Sequence, residues 1–277
     1  MSAPYRLAQR TSVETTVVRV GRASFGDGSF VFIGGPCAIE STQQVDEAAE
    51  AVARAGSVLM RGGAYKPRTS PYDFQGLGDA GLPLIAAAAA RNNLGTVVEA
   101  LAEYQAPLVA EACDMIQIGA RNMQNVPLLR AAARTKAPIL LKRGPAATLD
   151  ELLYAAEYVL AEGNPNVVVC ERGIRGFDRH TRNTCDLGGA LRLKELTHLP
   201  VILDPSHATG QRSLVEPLTL AAAAAGLDGA IVEMHPNAEF AKCDAAQAID
   251  VATFTRIAAR VRAVRAALFE DSLAACV

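Results

Sequence analysis

PILLKRG, residues 138–144, runs three apolar residues into a lysine, an arginine and a glycine. The same design recurs in FVFIGGPC (30–37), SVLMRGG (57–63), TVVEA (96–100), DMIQIGAR (114–121), NVVVCER (166–172), PVILDPSH (200–207) and DGAIVEMH (228–235). Each run is too apolar to alternate, which fits a strand buried on both faces. Ala- and Leu-rich helical patterns separate the eight runs, so the chain reads as a parallel (β/α)8 barrel of the TIM type. Chemistry in such barrels sits where the strands end. Here those ends carry Cys37, Arg61, Glu99, Arg121, Lys142, Arg172, His207 and Glu233.

Between the runs, STQQVDEAAEAVARAG (41–56) predicts a helix capped by Ser41 and stopped by Gly56, and TLDELLYAAEYVLAEG (148–163) one capped by Thr148 and stopped by Gly163. The alanine runs at 86–90 and 221–225 read as small residues of helices packing on a sheet, and TFTRIAARVRAVRAALFE (253–270) as a final amphipathic helix. Ahead of the first run, VVRVGRASFGDGSFVFIGG predicts a hairpin, about 17–35, turning at Gly-Asp-Gly and plugging the N-terminal end of the barrel. Residues 1–16 are expected to be poorly ordered, and 17–277 to form one domain, since a single barrel takes about 250 residues. The longest segment without a helical pattern, AYKPRTSPYDFQGLGDAGLP (64–83), reads as a functional loop.

The formal net charge of −2 gives no global attraction to nucleic acid or membranes, so any anion site is local. No signal-like or membrane-spanning stretch occurs, and a cytoplasmic location is the expectation. Six scattered cysteines (37, 113, 170, 185, 243 and 276) do not form the framework of a small secreted protein and are expected to be reduced.

Two constellations emerge. Cys37, His207, Glu233 and Asp244 fall at or just past strand ends, and a thiolate, an imidazole and two carboxylates suit one divalent transition metal such as Mn, Fe, Co or Zn. His180 and His198 read as ordinary surface residues, and His235 as a weaker ligand candidate than its neighbours. Cys243, beside Asp244, could pair with Cys37 if the metal were lost. The second set is cationic: Arg61, Lys66, Arg68, Arg121, Lys142 and Arg172, with Glu99 among them to orient a cation or shuttle a proton. Pairing six cations and a divalent metal against Cys37, Glu99, Glu233 and Asp244 leaves a local excess of roughly +4, which calls for multiply anionic substrates.

GGPCAIES (34–41), LMRGGAYKPRTSPYDFQGLG (59–78), QIGARNMQN (117–125), LLKRG (140–144), CERGIR (170–175), TRNTCDL (181–187), LDPSHATG (203–210) and Glu-x-His-Pro followed by Asp-x-x-Gln together resemble the metal-dependent 3-deoxy-D-arabino-heptulosonate 7-phosphate (DAHP) synthases. The subgroup resembled is the one related to 3-deoxy-D-manno-octulosonate 8-phosphate (KDO8P) synthase, and the likeness runs from about residue 17 to 255. It implies a (β/α)8 barrel and a carbon–carbon bond-forming transferase that condenses phosphoenolpyruvate with erythrose 4-phosphate, the first step towards chorismate. Cys37, His207, Glu233 and Asp244 would hold one divalent metal. Arg61, Lys66, Arg121, Lys142 and Arg172 would hold phosphoenolpyruvate, and Lys66, Pro67, Arg68 and Thr69 the erythrose 4-phosphate. The implied catalytic set is Lys66, Cys37, His207 and Glu99.

The octulosonate relatives carry an Ala-Asn-Arg-Ser type sequence where this chain has KPRT, which favours the four-carbon aldose. The same condensation with arabinose 5-phosphate or a specialised sugar is the alternative. More distant readings are a Schiff-base aldolase using Lys142 and a catalytically idle phosphometabolite-binding barrel. Two departures from the family pattern stand out: Ala100, Leu101 and Ala102 replace a Met-Asp-Pro, and Ala245 replaces a glycine after Asp244. Neither a ferredoxin-like regulatory domain before residue 17 nor a chorismate mutase domain after 270 is expected, and with them activity insensitive to Phe and Tyr is the expectation. A homodimer or homotetramer is the family-level expectation.

Overall fold

A computed structural model describes residues 5–12 and 14–274, with side chains described as far as 268; Cys276 lies outside the described residues. A two-stranded antiparallel hairpin, β1 (Val18–Val20) and β2 (Ala23–Phe25), precedes the barrel. The barrel strands are β3 (Val31–Gly34), β4 (Leu59–Arg61), β5 (Gly95–Ala100), β6 (Met115–Ile118), β7 (Ile139–Lys142), β8 (Val167–Glu171), β9 (Val201–Leu203) and β10 (Gly229–Ile231). All eight pair in parallel in chain order, and β10 closes onto β3. Every one of the eight apolar runs is therefore a barrel strand.

Strand periodicity of two divides these runs into two cores. One parity (Phe32, Met60, Val98, Ile116, Leu141, Val169, Leu203, Ala230) faces outward into the helical layer. The other (Ile33, Leu59, Val97, Met115, Leu140, Val168, Ile202, Ile231) fills the barrel interior, where it meets Val18, Val20, Ala23 and Phe25 of the hairpin. The hairpin thus closes the N-terminal end, as its sequence predicts. Its turn is elsewhere than expected. Val20 pairs with Ala23, so Gly21 and Arg22 form the turn, with Gly21 at φ +54°. Gly26-Asp27-Gly28 is instead the connector into β3, where Gly26, at φ +89°, passes so close to Thr16 that a Cβ would lie 2.3 Å from its carbonyl oxygen.

The helical layer comprises α1 (Thr42–Arg54), α2 (Gly81–Arg91), α3 (Gln105–Ala112), α4 (Val126–Arg134), α5 (Leu149–Ala161), α6 (Leu187–Leu196), a short α7 (Pro205–Thr209), α8 (Arg212–Ala224) and α9 (Val251–Ala274). The caps follow the sequence. Ser41 accepts from Gln44 N, and Thr148 forms a reciprocal capping box with Glu151. Gly56 and Gly163 take up the left-handed conformation just past the helix ends, at φ +80° and +78°. No helix among the described residues is long and apolar enough to cross a membrane.

Residues 5–12 fall within the segment expected to be poorly ordered, and they make specific contacts with the barrel. Tyr5 and Ala8 are buried, and Gln9 bridges to Thr197. The Glu157 carboxylate accepts from the backbone N–H groups of Arg6, Leu7 and Ala8. His198, read as an ordinary surface residue, links this strap to the barrel: its ring nitrogens contact Leu7 O at 2.7 Å and Thr16 Oγ1 at 2.6 Å. The order comes from partners nearly 150 or more residues away, which no local pattern announces.

Candidate active site

The interior parity that is apolar at the hairpin end turns polar within one more step. Leu59 is followed two residues on by Arg61, Val97 by Glu99, Met115 by Gln117, Leu140 by Lys142, Cys170 by Arg172, Ile202 by Asp204 and Ile231 by Glu233. These seven side chains are all less than a tenth exposed; Arg61, Glu99, Gln117, Lys142 and Arg172 line a cavity of ≈ 330 Å³ at the C-terminal mouth, and Asp204 and Glu233 lie behind its wall, bonded to Lys142 and Arg61. Naming strand ends by their last charged residue passes over Gln117 and Asp204. Counting in twos along DMIQ and VILD would have found both.

At one side of the mouth, ligand-type atoms of Cys37, His207, Glu233 and Asp244 all lie within 4.8 Å of one another. His207 Nε2 is 3.2 Å from Glu233 Oε1 and 3.8 Å from Asp244 Oδ2, and Cys37 Sγ is 3.4 Å from Asp244 Oδ2. One thiol, one imidazole and two carboxylates at this spacing fit a single divalent transition metal ion, with hard and soft donors mixed. Asp244 is held at φ +53°, a left-handed conformation Asp tolerates better than most residues. The left-handed position is Asp244 itself, so Ala245 meets no need for glycine there.

Strong opposing fields act on these donors. Burial opposes a charged His207 ring, but Asp204 and Glu233 outweigh it and raise its pKa to about 10. Burial also works against ionised Glu233, yet His207 and Arg61 hold it well below the usual carboxylate range. The Cys37 thiol is pushed up by its hydrogen bond with Cys243, by burial and by Glu233. Cys37 and Cys243 are thus neighbours, as the proposed pairing requires. His235, by contrast, turns away from the cluster to sit 3.5 Å from Glu40.

Around Glu233 the supports are specific. Arg61 Nη1 donates to Oε1 at 2.8 Å and Gln247 Nε2 to Oε2 at 2.6 Å. Gln247 in turn accepts from Arg182, which also lies 3.8 Å from Asp244. Arg61 therefore reaches the donor cluster as well as the cavity it lines, and its buried Nε has no hydrogen-bond partner among the described residues.

Beside the cluster lie the cations. Lys66, Arg68, Arg121, Lys142 and Arg172 all line the cavity, joined by Arg175 and Arg182 from the segment between β8 and α6. Arg172 is 8 % exposed and donates no side-chain hydrogen bond among the described residues; burial holds its pKa below the usual arginine value. A guanidinium kept there without a partner is a costly feature that an anion would relieve. Its strand end is clamped from behind: Arg143 donates to Glu171 and to Asp186, both at 2.8 Å, and Gly173 N donates to Glu171 at 2.5 Å. Lys66 donates to Cys37 O at 3.1 Å. Burial lowers its pKa, but Cys37 and Glu99 together drive it above the usual lysine value. Glu99 crosses directly above Gly119, where a Cβ would come within 1.8 Å of Glu99 Oε1. Counting the two missed arginines against Asp73, also on the wall, and Asp204 leaves the positive excess where the sequence placed it.

The KPRT segment joins the two halves. Arg121 Nη1 donates to Pro67 O at 3.1 Å, which ties the segment after β6 to the loop after β4. Arg68 reaches Cys243 with one guanidinium nitrogen and Asp73 with another. Pro67, Arg68 and Thr69 face the same cavity. After β5, the unusual Ala100-Leu101-Ala102 segment is not loose: Gln105 Oε1 accepts from Leu101 N at 2.8 Å and from Ala102 N at 3.1 Å.

The sequence profile of the DAHP synthetase I family matches residues 11–270. A phospho-2-dehydro-3-deoxyheptonate aldolase of Thermotoga maritima is 45 % identical over 266 residues, covering 96 % of this chain and 79 % of the relative. A 2-dehydro-3-deoxyphosphooctonate aldolase of Bradyrhizobium diazoefficiens is 31 % identical, covering 89 % of this chain and 94 % of the relative. Among solved structures, the T. maritima DAHP synthase superposes with a TM-score of 0.93 at 44 % identity, over 96 % of this chain and 78 % of that one. A truncated form of the T. maritima synthase gives 0.88 at 40 %, over 94 % and 96 %. With its barrel, its four-donor cluster and its cation wall, this chain belongs to the DAHP synthetase I family.

Proposed function

We propose that this chain is a DAHP synthase, a transferase joining phosphoenolpyruvate to erythrose 4-phosphate with release of phosphate. The observation that carries the reading is one cavity lined both by His207 and Asp244 of the donor cluster and by the cations Lys66, Arg68, Arg121, Lys142 and Arg172. Family membership supplies the reaction class.

In this reading Arg121, Lys142 and Arg172 hold the phosphate and carboxylate of phosphoenolpyruvate, with Arg61 and Lys66 completing the cradle. Bidentate guanidinium forks orient the enol so that C3 faces the aldehyde. Lys66, Pro67, Arg68 and Thr69 hold erythrose 4-phosphate across the cavity. C3 forms the new bond to the aldehyde carbon, water adds at C2, and the C–O bond breaks to expel phosphate. Lys66, buried and charged, faces the oxygen on which negative charge develops, and Glu99 steers Lys66 and exchanges protons with the site. Cys37, His207, Glu233 and Asp244 would hold one Mn, Fe, Co or Zn ion, which when bound supplies Lewis-acid polarisation of the aldehyde or of water. A cytoplasmic homodimer or homotetramer belongs to the same reading.

KPRT rather than an Ala-Asn-Arg-Ser type sequence favours the four-carbon sugar. The test is turnover of phosphoenolpyruvate with erythrose 4-phosphate against arabinose 5-phosphate. The reading predicts a clear preference for erythrose 4-phosphate. Equal or reversed turnover would move the chain to the octulosonate chemistry named for its 31 % identical relative.

A further inference from the structure

Asp204 belongs to neither half of the site and touches both. It is 1 % exposed, directly after β9. Its Oδ2 accepts from Lys142 Nζ at 2.5 Å and from His207 Nδ1 at 2.7 Å, while Oδ1 accepts from His207 N at 2.9 Å. Two functions are thereby separated on one carboxylate. Oδ1 caps the start of α7. Capping does not need Oδ2, and that oxygen is shared between an imidazole of the donor cluster and a lysine of the cation wall.

The shared oxygen fixes two geometries. With Nδ1 turned to Asp204, the His207 ring presents Nε2 to Glu233 and Asp244, the direction in which the cluster converges. With one ammonium hydrogen bonded to Asp204, Lys142 keeps its other two donors for the cavity it lines. Neither partner can shift without changing the oxygen the other depends on.

We propose that Asp204 is a positioning residue that couples metal loading at His207 to enol-phosphate binding at Lys142. This rests on the roles given to His207 and Lys142 under the proposed function. Coupling of this kind is reciprocal: phosphoenolpyruvate tightens the metal by the same factor as the metal tightens phosphoenolpyruvate.

The experiment measures Mn²⁺ affinity by calorimetry with and without saturating phosphoenolpyruvate, and phosphoenolpyruvate affinity with and without Mn²⁺. It is run on the wild type, on Asp204→Asn and on Asp204→Ser, the last keeping an N-cap oxygen while removing the bridge. The wild type is expected to show a coupling factor of about 5 or more. Both variants should bind Mn²⁺ alone roughly 10- to 100-fold more weakly, with the coupling factor falling towards one and the circular dichroism unchanged. A wild-type factor of one overturns the proposal without recourse to any variant. So do folded variants that keep wild-type Mn²⁺ affinity and coupling and lose only thermal stability, which would leave Asp204 as a helix cap. A wild type that binds neither Mn²⁺ nor phosphoenolpyruvate would instead sink the underlying functional reading.

Discussion

The two ends of the barrel are built from the same strands and the same inward parity, yet they are opposites. At the hairpin end Leu59, Val97, Met115, Leu140 and Ile202 pack against Phe25 and Val18 with no polar group among them. Two residues further along each strand stand Arg61, Glu99, Gln117, Lys142 and Asp204, nearly as buried and almost entirely polar. One end therefore stabilises the fold through apolar area removed from water. The other holds desolvated charges that a stability-optimised core would replace by apolar side chains. The contrast teaches that burial here is not the mark of a core position; the step along the strand is.

The largest predicted effect comes from moving mouth chemistry to the floor. Leu140→Asp places an unpaired carboxylate among apolar side chains, and a loss of about 4 kcal/mol or more is expected, read as insoluble protein or a collapsed urea midpoint. A folded, stable variant would break the contrast. The converse change, Arg172→Met, should cut kcat/KM by about 100- to 1,000-fold. It should also stabilise the protein by about 1 kcal/mol, because it removes a buried cation without a hydrogen-bond partner. A fall in both activity and melting temperature would assign Arg172 to the scaffold.

Gly119→Ala probes the mouth itself, where Gly119 lines the cavity. Its methyl group would collide with Glu99 Oε1 at 1.8 Å, and displacing that carboxylate should lower kcat about 10- to 100-fold while the melting temperature moves by only a few degrees. Unchanged kinetics would show that Glu99 has no positional role.

The smallest effect concerns the N-terminal strap, outside both ends. Burial opposes ionised Glu157, but the N–H donors of Leu7, Ala8 and Arg6 outweigh it and hold its pKa below the ordinary value of 4.5. That contribution is fully present above the unfolded pKa and is lost as pH falls through the lower folded one. Amide protection at Leu7 and Ala8 should therefore decline below about pH 4.5, and Glu157→Gln should weaken it already at pH 7. Protection that is independent of pH and of residue 157 would assign the strap's order to its contacts through Tyr5, Thr197 and His198.

Much of this was legible in the residues. Eight apolar runs gave eight strands because a run with both faces buried carries its own length and boundaries, as do Ser41 with Gly56 and Thr148 with Gly163 around their helices. The strand-end rule located Arg61, Glu99, Lys142, Arg172 and His207 on one cavity. It missed Gln117 and Asp204 because a more conspicuous residue, Arg121 or His207, follows each. Gln247, Arg175 and Arg182 sit in loops whose path only the closed barrel defines. The hairpin turn was misplaced because Gly-Asp-Gly has turn composition, while the pairing of Val20 with Ala23 is decided by which side chains fit the barrel floor. The strap at 5–12 was illegible for a simpler reason: Glu157, Thr197 and His198 hold it from far along the chain.

The central claim is that the donor cluster and the cation wall form a single site for two anionic substrates. Phosphate release from phosphoenolpyruvate and erythrose 4-phosphate, before and after chelation and again after added Mn²⁺, tests it most directly. The account predicts release that is abolished by the chelator, restored by the metal and absent when the aldose is omitted. Release undiminished in chelator, or none with erythrose 4-phosphate under any metal, would contradict it.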